Sequence, residues 1–115
     1  MKLTENFSSE EFACKCGCGL DDIDTRLVSI LQRLRNHFKR FVVVTSGLRC
    51  DRYNRKVGGR PKSNHRLGLA ADIKVQGVSP YEVAKIADIL MPGWGGIKIY
   101  PTFTHIDVRP NKWRE

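Results

Sequence analysis

The chain has 115 residues, which suits one domain with a modest core, and no second catalytic domain is expected. Its 20 Lys and Arg against 12 Asp and Glu give a net charge of +8, which favours an anionic partner: nucleic acid, a membrane surface or an acidic wall polymer. No apolar run approaches the length of a bilayer span, and the opening Met1 to Phe7 lacks the apolar core of a secretory signal, so a soluble chain without a transmembrane segment is expected.

In chain order, Phe7-Ser8-Ser9-Glu10-Glu11-Phe12 reads as a capped turn, with Ser8 and Glu11 spaced as a capping box. It leads into Cys14, Cys16 and Cys18 and is broken by Gly17 and Gly19, so residues 1–20 form an N-terminal cysteine-containing segment of a single domain over 1–115. From about Asp22 to Phe38, Ile23, Leu27, Ile30, Leu31, Leu34 and Phe38 recur every three or four residues, predicting an amphipathic helix. His37 near its end reads as an ordinary helix-terminal histidine.

Phe41 to Thr45 is a short β-branched run that predicts a buried strand, stopped by Ser46-Gly47 and followed by Arg49. Between Arg49 and Arg66 lie seven basic residues and one acid, Asp51, interrupted by Gly58-Gly59 and Pro61, which predicts a basic, partly flexible stretch. Ala70 to Val75 reads as a second strand, and Ser79-Pro80 with Glu82 opens a helix through about Leu90. Residues 97–100 and 103–108 then predict two strands joined around Pro101-Thr102 as a hairpin. Trp94 and Trp113 are assigned to core or groove packing.

Two of the three histidines sit beside carboxylates, in Ser63 to Asp72 and in His105-Ile106-Asp107. A catalytic zinc keeps three protein ligands and an open position for water, and His65, Asp72 and His105 supply such a set. On one continuous helix, His65 and Asp72 would stand about 10 Å apart along the axis, so they must straddle a turn, which Gly68, Ala70 and Ala71 permit. On the last strand, period-two geometry puts His105 and Asp107 on one side. Asp107 is a candidate base for a zinc-activated water, or a carboxylate that orients His105; the sequence leaves both open. Arg49 is a candidate clamp for a substrate carboxylate or stabiliser of a developing oxyanion.

Cys14, Cys16, Cys18 and Cys50 also raise a second, structural zinc, but C-x-C spacing is unusual for such sites, and disulfides or free thiols weigh more in the reading. A cysteine-protease reading of Cys50 lacks a neighbouring histidine.

The pattern Ser63-x-His65-x-x-Gly68-x-Ala70-x-Asp72, followed by a strand bearing His105, resembles the M15 class of zinc peptidases that act on bacterial cell-wall peptides. Thr45 to Arg49 looks like that family's arginine-bearing segment, and Phe103 to Arg109 looks like its compact branch from phage and prophage genes, so the resemblance runs from about Phe7 to Arg109. It implies a small α+β fold of the hedgehog/DD-peptidase kind, with an antiparallel sheet and packed helices, and one catalytic Zn2+ on His65, Asp72 and His105. Members often carry an acid or histidine two or three residues before the last ligand, where this chain has Phe103 and Thr102. Ser63 matches the motif serine and is assigned to substrate hydrogen bonding or to support of a ligand.

The expected function is hydrolysis of peptidoglycan stem peptides by a D-alanyl-D-alanine carboxypeptidase, with an L-alanyl-D-glutamate endopeptidase of the phage endolysin type as the alternative. A non-catalytic zinc-stabilised binding module is the further option. The protein is expected to act as a monomer at the bacterial cell wall, reaching it in the manner of a phage lysin. No nucleic-acid partner is expected, because no helix-turn-helix, RNA-recognition or zinc-finger pattern is present.

Overall fold

A computed structural model describes residues 1–115. The elements run β1 (Val42–Ser46), β2 (Ala70–Val75), β3 (Gly96–Ile99), β4 (Thr104–Asp107) and β5 (Trp113–Arg114), with helices α1 (Thr25–Phe38), α2 (Asp51–Lys56) and α3 (Pro80–Leu90). The strands form one sheet in the order β1-β2-β4-β3-β5. All neighbours pair antiparallel except β3 and β5, which pair parallel, so the sheet is mixed rather than purely antiparallel. The exception comes from a two-residue strand that carries no pattern of its own and returns beside Gly96.

Helix α1 begins three residues later than its apolar period suggests, because Asp24 caps it by accepting the Arg26 N–H at 2.8 Å. Its inward stripe buries Leu27, Leu31 and Leu34 completely, each contributing roughly 1.5–3 kcal/mol of transfer free energy. Gln32, also buried, is satisfied by Thr4, Asn6 and Asn36, and so ties the N-terminal segment to the helix. The Ser8–Glu11 capping box is formed around a 3-10 turn at Ser9–Phe12. Helix α3 starts as expected, with the Ser79 hydroxyl accepting the Glu82 N–H and Pro80 in the first turn. The stretch after Arg49 is more ordered than its composition suggests: α2 is a six-residue helix capped by the Cys50 side chain, without an apolar stripe to announce it.

Helices α1 and α3 pack on each other and on the sheet. Ala71, Ile73, Ile97 and Ile106 face them in one apolar cluster. Period two then sends Asp72, His105 and Lys98 to the other face, and the register aligns them: Ser46 opposite Asp72, Asp72 opposite His105, His105 opposite Lys98. One polar row therefore crosses four strands.

Candidate metal centre

His65 reaches this row from a 3-10 turn, Asn64–Leu67, that ends at Gly68. Ser63 caps the turn by accepting the His65 N–H at 3.2 Å. Gly68 takes a left-handed φ of 72°, and a Cβ there would overlap the Asp22 carbonyl, so the turn between His65 and β2 requires glycine. The Arg49 N–H donates to the His65 carbonyl at 3.0 Å, joining the turn to the loop after β1.

The hydrogen bonds of the two histidines determine which ring nitrogens are free. His65 Nδ1 lies 2.7 Å from the Gly47 carbonyl, which can only accept, so Nδ1 carries the proton and Nε2 presents its lone pair. That Nε2 faces Asp72 Oδ1 at 3.3 Å. His105 Nε2 lies 2.8 Å from Asp107 Oδ2, so it donates there and leaves Nδ1 facing the same Asp72 Oδ1 at 3.0 Å. Three acceptor atoms thus converge within 4.8 Å of one another, an arrangement that calls for a cation in their midst. Their 3.0 and 3.3 Å separations fit the edge of a tetrahedron about zinc, about 3.3 Å for metal–ligand bonds near 2.0 Å. The donor set therefore fits a His2Asp zinc site.

Asp107 is fully buried beneath His105. Its Oδ2 accepts from His105 and from Arg109 Nη2 at 2.7 Å, and its Oδ1 accepts from Arg109 Nε at 2.8 Å and the Arg109 N–H at 3.2 Å. Gly96, opposite Asp107 on β3, leaves room for this carboxylate, since a Cβ there would overlap both oxygens. The Arg109 guanidinium lies 4.4 Å over the Trp113 ring, which places that tryptophan beside the site rather than in the core.

Electrostatics agree with the geometry. Burial alone would raise the Asp72 and Asp107 carboxyls, but the His105 and His65 rings beside the first, and the His105 and Arg109 donors on the second, hold both well below the usual carboxylate range. Burial would lower the His105 pKa, yet its bonds to Asp107 and Asp72 raise it above the ordinary histidine value.

Arg49 stands at the β1 end of the row. Its Nη2 lies 3.7 Å from Asp72 Oδ2, Nε donates to Ser46 Oγ at 3.3 Å, and Nη1 donates to Asn54 Oδ1 at 3.3 Å. Asn54 is 1% exposed and also donates from Nδ2 to the Arg60 carbonyl at 2.8 Å. Around these groups opens a cleft of about 530 Å³, lined by Arg49, Arg60, Lys62, Lys98 and Arg109, with Asp72 its sole acid. Phe103, two residues before His105, stacks on Tyr100 at 4.3 Å and helps wall the cleft.

All the site residues expected from sequence thus meet in one place: His65, Asp72 and His105 converge, Arg49 and Ser63 line the cleft, and Asp107 lies beneath His105. The sequence reading missed Asn54, Lys98 and Arg109. Arg109 was accessible in principle, two residues beyond Asp107, whereas Lys98 depends on β3 pairing with β4.

No helix is long and apolar enough to cross a membrane. No curated protein matches the chain in a sequence search. The family model described as peptidase M15 matches residues 5–107, spanning the three convergent ligands, and the chain accordingly belongs to the M15 peptidases, a family of zinc-dependent metallopeptidases.

Proposed function

We propose that this protein hydrolyses peptidoglycan stem peptides as a zinc-dependent peptidase of the D-alanyl-D-alanine carboxypeptidase type, acting at the bacterial cell wall. The observation that carries the reading is the place of Arg49. In a carboxypeptidase the free terminal carboxylate lies one residue from the scissile amide, so its clamp must stand close beside the metal ligands. Arg49 Nη2 is 3.7 Å from Asp72 and is held from two sides by Ser46 and Asn54. A guanidinium so fixed binds a carboxylate with little further loss of side-chain freedom.

Zinc held by His65 Nε2, Asp72 Oδ1 and His105 Nδ1 would supply Lewis acidity, polarising the amide carbonyl and bringing a water's pKa near neutrality. Asp107 is a positioning residue in this scheme, because its oxygens are spent on His105 and Arg109 and it lies outside the cleft. Ser63 positions the His65 backbone. The five basic side chains suit the several carboxylates of a stem peptide, and the net charge of +8 favours approach to an anionic wall.

Lys98 supports a second reading. It sits across His105 from Asp72, so cations flank the centre on both sides and a chain could be held beyond the scissile bond, as an L-alanyl-D-glutamate endopeptidase requires. Mass spectrometry of muropeptides incubated with zinc-loaded protein, metal-free protein and His65→Ala decides between the two. Metal-dependent loss of terminal D-Ala supports the carboxypeptidase. Release of stem peptide from muramic acid-linked L-Ala supports the endopeptidase. No cleavage at full zinc occupancy overturns both in favour of a binding module.

A further inference from the structure

The four cysteines take no part in the cleft, yet they converge. Cys14, Cys16 and Cys18 come from the loop after the first 3-10 turn, and Cys50 comes from the cap of α2. Their sulfurs all lie within 4.8 Å of one another, with Cys14 to Cys16 at 3.5 Å and Cys16 to Cys50 at 3.6 Å. All four are free thiols. Four thiolates around zinc, with Zn–S bonds of about 2.3 Å, stand about 3.8 Å apart along each tetrahedral edge, close to the spacing found here.

The surroundings are built to hold this arrangement. The Cys14 N–H donates to the Leu20 carbonyl at 2.8 Å, closing the loop that carries three of the sulfurs. The Leu48 N–H donates to the Phe12 carbonyl at 2.8 Å, docking that loop against the segment leading to Cys50. Cys14 Sγ accepts the Cys50 N–H and Cys50 Sγ accepts the Tyr53 N–H, each at 3.4 Å, the kind of outer contact that orients a metal ligand. The C-x-C spacing that counts against a metal in the sequence is offset in space, because the fourth sulfur arrives from another part of the chain.

We propose that Cys14, Cys16, Cys18 and Cys50 bind a structural zinc ion in a closed tetrathiolate site, distinct from the centre formed by His65, Asp72 and His105. Four sulfur ligands leave no position for water or substrate, so the ion's work is mechanical. On binding, the thiols give up their protons and four Zn–S bonds form. The bonds join the N-terminal loop to Cys50, whose neighbour Arg49 stands beside Asp72 and whose helix α2 carries Asn54. The ion would thereby hold the clamp side of the cleft in place.

The test uses the full chain, purified under reducing conditions with zinc. Elemental analysis is expected to give a zinc content near two per chain in the wild type and near one in each of two variants, His65→Ala/His105→Ala and Cys16→Ser/Cys18→Ser. Cobalt substitution of the histidine variant, which retains all four cysteines, is expected to show thiolate-to-cobalt charge-transfer absorption and intense tetrahedral bands. Should the cysteine variant fail to fold, the cobalt spectrum still decides. A wild-type content near one with no thiolate-to-cobalt absorption would overturn the proposal, as would disulfides that persist in zinc-containing protein, read as a mass deficit before reduction.

Discussion

Replacing Asp107 with Asn separates its two possible roles. The amide matches the carboxylate in size but turns one of its oxygens into a donor. One amide orientation sets that donor against Arg109 Nε and the Arg109 N–H; the other sets it against His105 Nε2 and Arg109 Nη2. Either way two donors meet a donor in a fully buried place, at a cost of roughly 1–3 kcal/mol per unsatisfied group. Arg109 can move its partly exposed guanidinium outward, so the lower end applies to stability. His105 cannot move without withdrawing Nδ1 from the centre, and in either orientation its Nε2 loses an ionised partner, so the larger effect falls on zinc. Loss of such an outer partner typically weakens metal binding about 10–100-fold, equivalent to about 1.4–2.8 kcal/mol. Competition with a chromogenic chelator measures the zinc Kd, and turnover is then compared at saturating zinc. A zinc Kd unchanged from wild type, together with a kcat reduced by more than about 100-fold, would refute the positioning role and restore Asp107 as the base.

Asn54→Ala leaves the Arg60 carbonyl and Arg49 Nη1 without their partner, and urea unfolding is expected to show a loss of about 1–3 kcal/mol, with kcat/KM reduced at unchanged zinc content in the catalytic centre. Unfolding indistinguishable from wild type would contradict the support assigned to Asn54. In metal-free protein, the raised pKa of His105 contributes stability that is fully present below the ordinary histidine value of 6.5 and is lost as pH rises through the higher folded value. Zinc must displace that proton, so its affinity changes the opposite way, and in the Cys16→Ser/Cys18→Ser variant, where no thiol proton release contributes, the Tm gap between zinc-loaded and chelator-treated protein should widen with pH across the window. Asp72 and Asp107, held far below the usual range, keep their contributions until strongly acid pH and leave the window clear. A gap that does not vary with pH would count against His105 as a ligand.

The three convergent ligands, the two main helices and four of the five strands were legible because each depends on local rules. Apolar residues at helical spacing announce α1, proline after a serine cap announces α3, and strand alternation places His105 and Asp107 together. Gly68 marks the turn ahead of β2 whichever strands lie beyond. Other features depend on chain segments far apart in sequence, where no local period carries information. The insertion of β4 between β2 and β3 aligns Asp72, His105 and Lys98, and the parallel return of β5 brings Trp113 beside Arg109. Asn54 looks like any polar residue in a basic stretch until burial reveals its bonds to Arg49 and Arg60. The sequence by itself determined which atoms could hold a metal. Only the tertiary structure decided which nitrogen of each histidine is free to do so, because the Gly47 carbonyl and the Asp107 carboxylate that select it arrive by folding.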